Sequence, residues 1–127
     1  MKTQNQNETE QLDNFSQELR RGALPLAVLC MLQENKYGYA LIGELTAAGV
    51  EIDQGTLYPM LRRLESQGLL QSSWVVEGAR PRRYYGISPQ GREVLRSLAG
   101  EWLELNRVVQ SLLDQVEIKD GGKNGLN

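Results

Sequence analysis

The 127-residue chain contains no histidine and a single cysteine, Cys30. Without an imidazole there is no common general base and no Ser–His triad. One thiol forms no intrachain disulfide, and without histidine it builds no zinc site of the usual kind. Gly-rich phosphate loops following a strand are also missing. The carboxylates are scattered along helix faces rather than paired. These absences exclude the common catalytic classes and metal sensing, so no enzyme and no cofactor is expected. No apolar run reaches the ~18–20 residues that cross a bilayer. The first eleven residues are rich in Gln, Asn and Glu and lack the apolar core of a secretory signal. A cytoplasmic protein with no membrane partner is the reading. Cys30 lies within the apolar run Leu26–Leu32 and is expected as a small core residue.

Net charge is only −2, but it is unevenly spread. Residues 54–96 hold seven arginines against three glutamates, a local +4, whereas residues 97–120 hold five acids against Arg107 and Lys119, a local −3. Such a split suggests a partner for the basic segment alone.

The polar residues 1–13 and the tail 118–127 are expected to be disordered. A first helix is expected from near Phe15 to Gln33, with Asn14 and Gln17 as a capping pair. Pro25 leaves two options: a bend, or a main helix that begins there. The dense apolar residues of this segment predict burial on several sides. Asn35–Gly38 reads as a turn, Tyr39 to Ala48 as a second helix, and Asp53 as the N-cap of a third. Gly68 stops that third helix. Leu70 to Val76 and Arg82 to Ile87 read as strands joined by a turn at Glu77–Pro81. Ser88–Pro89 opens a fourth helix.

Stepping ~100° per residue from Leu57, Leu57, Met60, Leu61 and Leu64 share one side of the third helix. Gly55, Pro59 and Arg62 lie opposite. Thr56 and Arg63 hold one edge and Tyr58 the other. Gly55 and Pro59 cost helix stability, and close approach to a rigid surface is a use for such a face. A reading helix followed by a hairpin carrying Arg80, Arg82 and Arg83 outlines a winged helix-turn-helix. The fold expected is mainly α (α+β), with a winged helix-turn-helix over 14–88 and a long C-terminal dimerisation helix over 89–117.

That last helix carries Leu95, Leu98, Trp102, Leu105, Val109, Leu112 and Val116 at alternating steps of three and four, the seam of a coiled coil. The seam could meet a second copy, as a homodimer, or the first helix of its own chain. Trp102 stands where leucine would pack more simply. Either it fills the interface, or two such indoles form a slot for a planar aromatic effector.

Duplex DNA carries a charge every ~1.7 Å, and arginines displace its counterions. Arg62 and Arg63 are candidates for guanine edges or phosphates, and Thr56 and Tyr58 for phosphates or base edges. Tyr39 is placed to clamp the backbone from the side. Arg80, Arg82 and Arg83 could reach a neighbouring phosphate or the minor groove. A dimer would set two reading helices ~34 Å apart on a pseudo-palindromic operator. The alternative is a winged helix that binds protein and not DNA.

Three blocks carry a family resemblance. They are Tyr37-Gly38-Tyr39; Gly55-Thr56-Leu57-Tyr58-Pro59-x-Leu61-x-Arg63-Leu64-Glu65-x-x-Gly68-Leu69; and Arg82-Arg83-Tyr84-Tyr85-x-Ile87-Ser88-x-x-Gly91. In this order and spacing, over about residues 20–113, the chain resembles the PadR family of bacterial transcriptional regulators, in its small form with one C-terminal helix. The resemblance implies a homodimer built from the first and fourth helices, and a repressor released by a small molecule. It implies DNA contacts at Tyr39, Thr56, Tyr58, Arg63 and the wing arginines, with Trp102 stacking a planar ligand. Gly86 stands where the family often has a basic residue, and Met60 where it has a smaller one.

Overall fold

The structure, a computed structural model, describes residues 3–116. Four helices and three strands follow in order: α1 (Gln4–Met31), β1 (Lys36–Tyr37), α2 (Gly38–Ala47), α3 (Gln54–Ser66), β2 (Leu70–Glu77), β3 (Arg80–Ile87) and α4 (Pro89–Asp114). The chain divides into two compact units between Leu95 and Arg96.

The first unit is built on leucine burial. Val28 and Leu29 of α1, Leu32 just beyond it, Leu41 and Leu45 of α2, and Leu57 and Leu61 of α3 are fully buried. Each such side chain contributes about 1.5–3 kcal/mol when removed from water. Tyr85 and Ile87 close this core from the sheet.

The three strands pair antiparallel in the order β1-β3-β2. The hairpin turn is only Gly78-Ala79, because Glu77 already pairs with Arg80. Gly78 has φ +64° and Ala79 is not among the positive-φ residues, the type II′ pattern that matches strand twist. The returning strand therefore starts two residues before the expected Arg82. β1 was not expected. Lys36 and Tyr37 pair with Tyr85 and Tyr84, turning the anticipated loop into an edge strand.

Asp53 caps α3 as expected, its Oδ1 accepting from the Thr56 N–H at 2.8 Å. Ser88 does more than begin α4. Its hydroxyl accepts from the Gly91 N–H at 2.8 Å and donates to the Gly68 carbonyl at 2.6 Å, joining the end of α3 to the start of α4. The Ile87 N–H donates to the Leu32 carbonyl at 2.8 Å, fastening the sheet to α1.

The first helix departs from expectation at both ends. Residues 4–13 are helical, not disordered, and Asn14 and Gln17 fall inside the helix. Thr3 and Gln6 form a reciprocal capping box, which satisfies two terminal N–H groups. The helix runs through Pro25 without a new start; the carbonyl that loses its partner belongs to exposed Arg21. Nor is α1 buried on several sides. Leu12, Phe15 and Leu19 are exposed, and only its last turns enter the core. Cys30 is exposed as well, because one residue beyond Leu29 points about 100° away from it. The C-terminal tail 118–127 lies outside the described residues.

Gly91 sits directly against backbone. A Cβ there would lie 2.1 Å from the Leu69 carbonyl oxygen and 2.8 Å from Ile87 Cγ1. Backbone cannot yield as a flexible side chain would. Gly91→Ala is therefore expected to destabilise the protein by about 3 kcal/mol, read as a lowered urea midpoint at unchanged slope.

Candidate nucleic-acid interface

Leu57, Met60, Leu61 and Leu64 face the core, so the opposite side of α3 must face water. Gly55, Thr56, Pro59, Arg62 and Arg63 are all exposed. Arg62 and Arg63 make no ion pair with any described carboxylate. Tyr58 differs from them. Its ring lies against the backbone of Gly38, where a Cβ would come 2.4 Å from Cε1. The half-buried phenol thus fills the α2–α3 junction, and a Cβ at position 38 would displace it. Tyr39, one residue on, is 68% exposed beside the first turn of α2. That turn has no side-chain cap, and its N–H groups favour an anion.

On β3, side chains alternate between the two faces of the sheet, so the wing arginines separate. Arg83 shares a face with buried Tyr85 and Ile87. Its Nε donates to Ser72 Oγ at 3.0 Å and its Nη2 to Glu65 Oε1 at 3.1 Å. Ser72 in turn donates to Glu65 Oε2. The guanidinium also lies 5.7 Å from the Trp74 ring and 5.5 Å from that of Tyr85. One cation thus ties both wing strands to the last turn of α3.

Arg82 points to the other face. It stacks 4.5 Å above the Tyr37 ring, which meets Tyr84 edge-on at 5.5 Å. Tyr84 donates its phenolic hydrogen to Glu77 at 3.1 Å. Its pKa is pushed up, first by loss of hydration and then by that carboxylate. Arg80, at the hairpin tip, is exposed and unpaired among the described residues.

The expected site residues are thus brought together unequally. Thr56, Arg62, Arg63, Arg80 and Tyr39 present free polar groups, Arg82 presents a stacked guanidinium, and the partly exposed Tyr58 and Arg83 rest against neighbours of the fold. Glu65, Ser72 and Tyr37, which hold the reader and wing in place, were not singled out from the sequence. Glu65 stood in the quoted motif, but nothing in linear spacing pairs it with Arg83, eighteen residues on. Gly86 lies beneath the exposed Asn35 side chain. A Cβ there would collide with the Asn35 side chain.

On α4, Leu95 and Leu98 are half-buried, whereas Trp102, Leu105, Val109, Leu112 and Val116 are exposed. Val108 and Leu113 widen that apolar face, whereas exposed Leu103 lies nearly opposite. Among the described residues no helix is long and apolar enough to cross a membrane.

A reading helix behind a capped turn, flanked by an arginine-bearing hairpin, defines a winged helix-turn-helix of the DNA-binding class. The profile of the Transcriptional regulator PadR-like family matches residues 28–97, and the chain belongs to that family. A PadR family transcriptional regulator from Eggerthella lenta DSM 2243 is 44% identical, covers 85% of this chain and 96% of its own, and overlays with a TM-score of 0.79. A PadR-like transcriptional regulator from Bacillus cereus is 28% identical over 79% of this chain and 99% of its own, with a TM-score of 0.70. A transcriptional regulator of Mycobacterium tuberculosis is 42% identical over 79 residues, 61% of this chain and 74% of that relative. The protein is a DNA-binding transcriptional regulator of the PadR type and not an enzyme.

The Arg83–Glu65 pair is partly exposed, at 40% and 28%, so solvent screens it. A double-mutant cycle of Arg83→Ala and Glu65→Ala should give a coupling of about 0.5–1 kcal/mol in urea unfolding. A coupling of zero would make the contact incidental.

Proposed function

We propose that this regulator is a homodimeric repressor that reads a pseudo-palindromic operator through α3 and is released by a planar aromatic molecule held near Trp102. The observation that carries the dimer is the uncovered apolar face of α4. From Trp102 to Val116 seven large apolar side chains on one side of the helix are at least 37% exposed. A continuous face of that kind marks an interaction surface. Its three-and-four spacing suits a helix of a second copy. Two copies would set their reading helices on successive turns of a duplex, ~34 Å apart.

In each copy Arg62 and Arg63 supply unpaired guanidiniums to base edges or phosphates. Thr56 adds a hydroxyl, and Gly55 and Pro59 keep the helix face low. Tyr39 and the uncapped first turn of α2 take a backbone phosphate. Arg80 and Arg82 reach outward from the wing. Tyr58 and Arg83 serve the interface indirectly, by setting the reader against α2 and the wing against the reader. Trp102 is 45% exposed, so an indole face is open to stack a flat ring. Gly100 leaves open space two residues before it.

Arg63→Ala should abolish operator preference while leaving the solution mass of the dimer unchanged, measured by a gel-shift titration and sedimentation. Retained operator affinity would remove α3 as the reader, and a dimer that binds only protein would support the interaction-module alternative. For the effector, the exposed Trp74 is first removed as Trp74→Phe. Trp102 emission should then quench on adding planar aromatics, and the operator complex should dissociate over the same concentration range. No quenching across a broad aromatic panel would leave Trp102 as interface packing alone.

A further inference from the structure

Below the edge of α3 that carries Thr56 and Arg63 lies a solvent-open cleft of about 1060 Å³. One wall is α3, through Thr56, Pro59, Met60 and Arg63; the other is α1, through Gln17, Arg20, Arg21 and Leu24. Both sets follow the spacing of one helix face. Thr46, Glu51, Ile52 and Asp53 close the end. We infer that this cleft seats the sugar–phosphate backbone of DNA, with Arg20 and Arg21 of α1 as phosphate contacts additional to those of α3 and the wing. This rests on the DNA-reading role proposed above.

Three observations favour a phosphate backbone. The first is donor excess. Three guanidiniums, the Gln17 amide and the hydroxyls of Thr46 and Thr56 line the cleft, against two carboxylates. One of these is already used, since Asp53 Oδ1 holds the Thr56 N–H. The second is lack of internal partners. Arg82, Arg83, Arg92 and Arg107 each have a side-chain partner. Arg20, Arg21 and Arg63 have no ion-pair partner among the described residues. The third is position. The cleft shares Thr56, Pro59 and Arg63 with the reading helix, so it adjoins the face on which a duplex would rest.

The α1 wall is also free to do this. Leu12, Phe15 and Leu19, the exposed apolar stripe of α1, centre about 160° around the helix from Gln17, Arg20, Arg21 and Leu24. A second copy packing on the stripe would therefore leave the arginine face open. The cleft is too open to enclose most of a small ligand's surface as a pocket does, whereas a continuous anionic strand needs only one side.

The test is the salt dependence of binding to an operator duplex and to an unrelated duplex of equal length. Each phosphate contact adds about 0.9 to the slope of log affinity against log salt. Arg20→Ala/Arg21→Ala should lower the slope by about 1.8. Between 50 and 200 mM salt the variant would then lose about twelvefold less affinity than the unaltered protein. Both duplexes should weaken by the same factor, because phosphate contacts carry no sequence information. Arg20→Lys/Arg21→Lys should restore the slope, and Glu51→Gln should tighten both duplexes. Sedimentation and circular dichroism should be unchanged throughout. An alanine double variant with the unaltered slope and affinity overturns the assignment alone, including in favour of a small anion. An unaltered protein that binds no duplex overturns this inference and the proposed function together.

Discussion

Leu57, Met60, Leu61 and Leu64 bury one side of α3, and that burial is the constraint on which the rest of the first unit depends. Because these four face the core, Thr56, Arg62 and Arg63 have no place to go except outward. Asp53 fixes where the helix begins, and Tyr58 fixes its distance from α2 by lying on Gly38. The start of the reader and its spacing from α2 are thus set within the protein itself, and such preorganisation lowers the ordering entropy that opposes binding. Gly55 and Pro59 weaken the same helix locally, and the four buried side chains tolerate that weakness.

The arginines fall into two groups by what surrounds them. Arg83 and Arg92 join elements of the fold, Arg83 through Glu65 and Ser72 and Arg92 through Gln33. Arg20, Arg21, Arg62, Arg63 and Arg80 remain without a carboxylate partner among the described residues. A guanidinium already paired with a carboxylate gives up that partner to meet a phosphate, whereas a hydrated one gives up only water and counterions. Charge count alone therefore overstates what the wing can offer to DNA and understates what α1 can offer.

The apolar face of α4 sets a different demand. Within Arg96–Val116 the side chains that would normally form a core are the exposed ones. Such a helix has low intrinsic reason to stand alone in water. In the proposed dimer a second copy would supply the missing surface and place two readers on one duplex. In the proposed arrangement stability and recognition are coupled, since anything that changes packing around Trp102 changes the spacing of the readers.

Residue periodicity was sufficient for α2, α3, the hairpin and α4, because each is a local pattern of apolar side chains bounded by a cap or a turn. The division of α3 into a buried and an open face followed from the same pattern, and the family followed from three motif blocks. The long helical start of α1 was missed because its residues bury almost nothing, and burial is what periodicity reports. β1 was missed because two residues acquire strand geometry only by pairing with β3. The separate fates of Arg82 and Arg83, the seat of Tyr58 on Gly38, and the cleft that Arg20 and Arg21 line together with Arg63 belong to the tertiary structure alone. Each is a meeting of side chains distant in the chain, and an amino-acid order states what a residue can bond to, but not which distant residue folding will bring within reach.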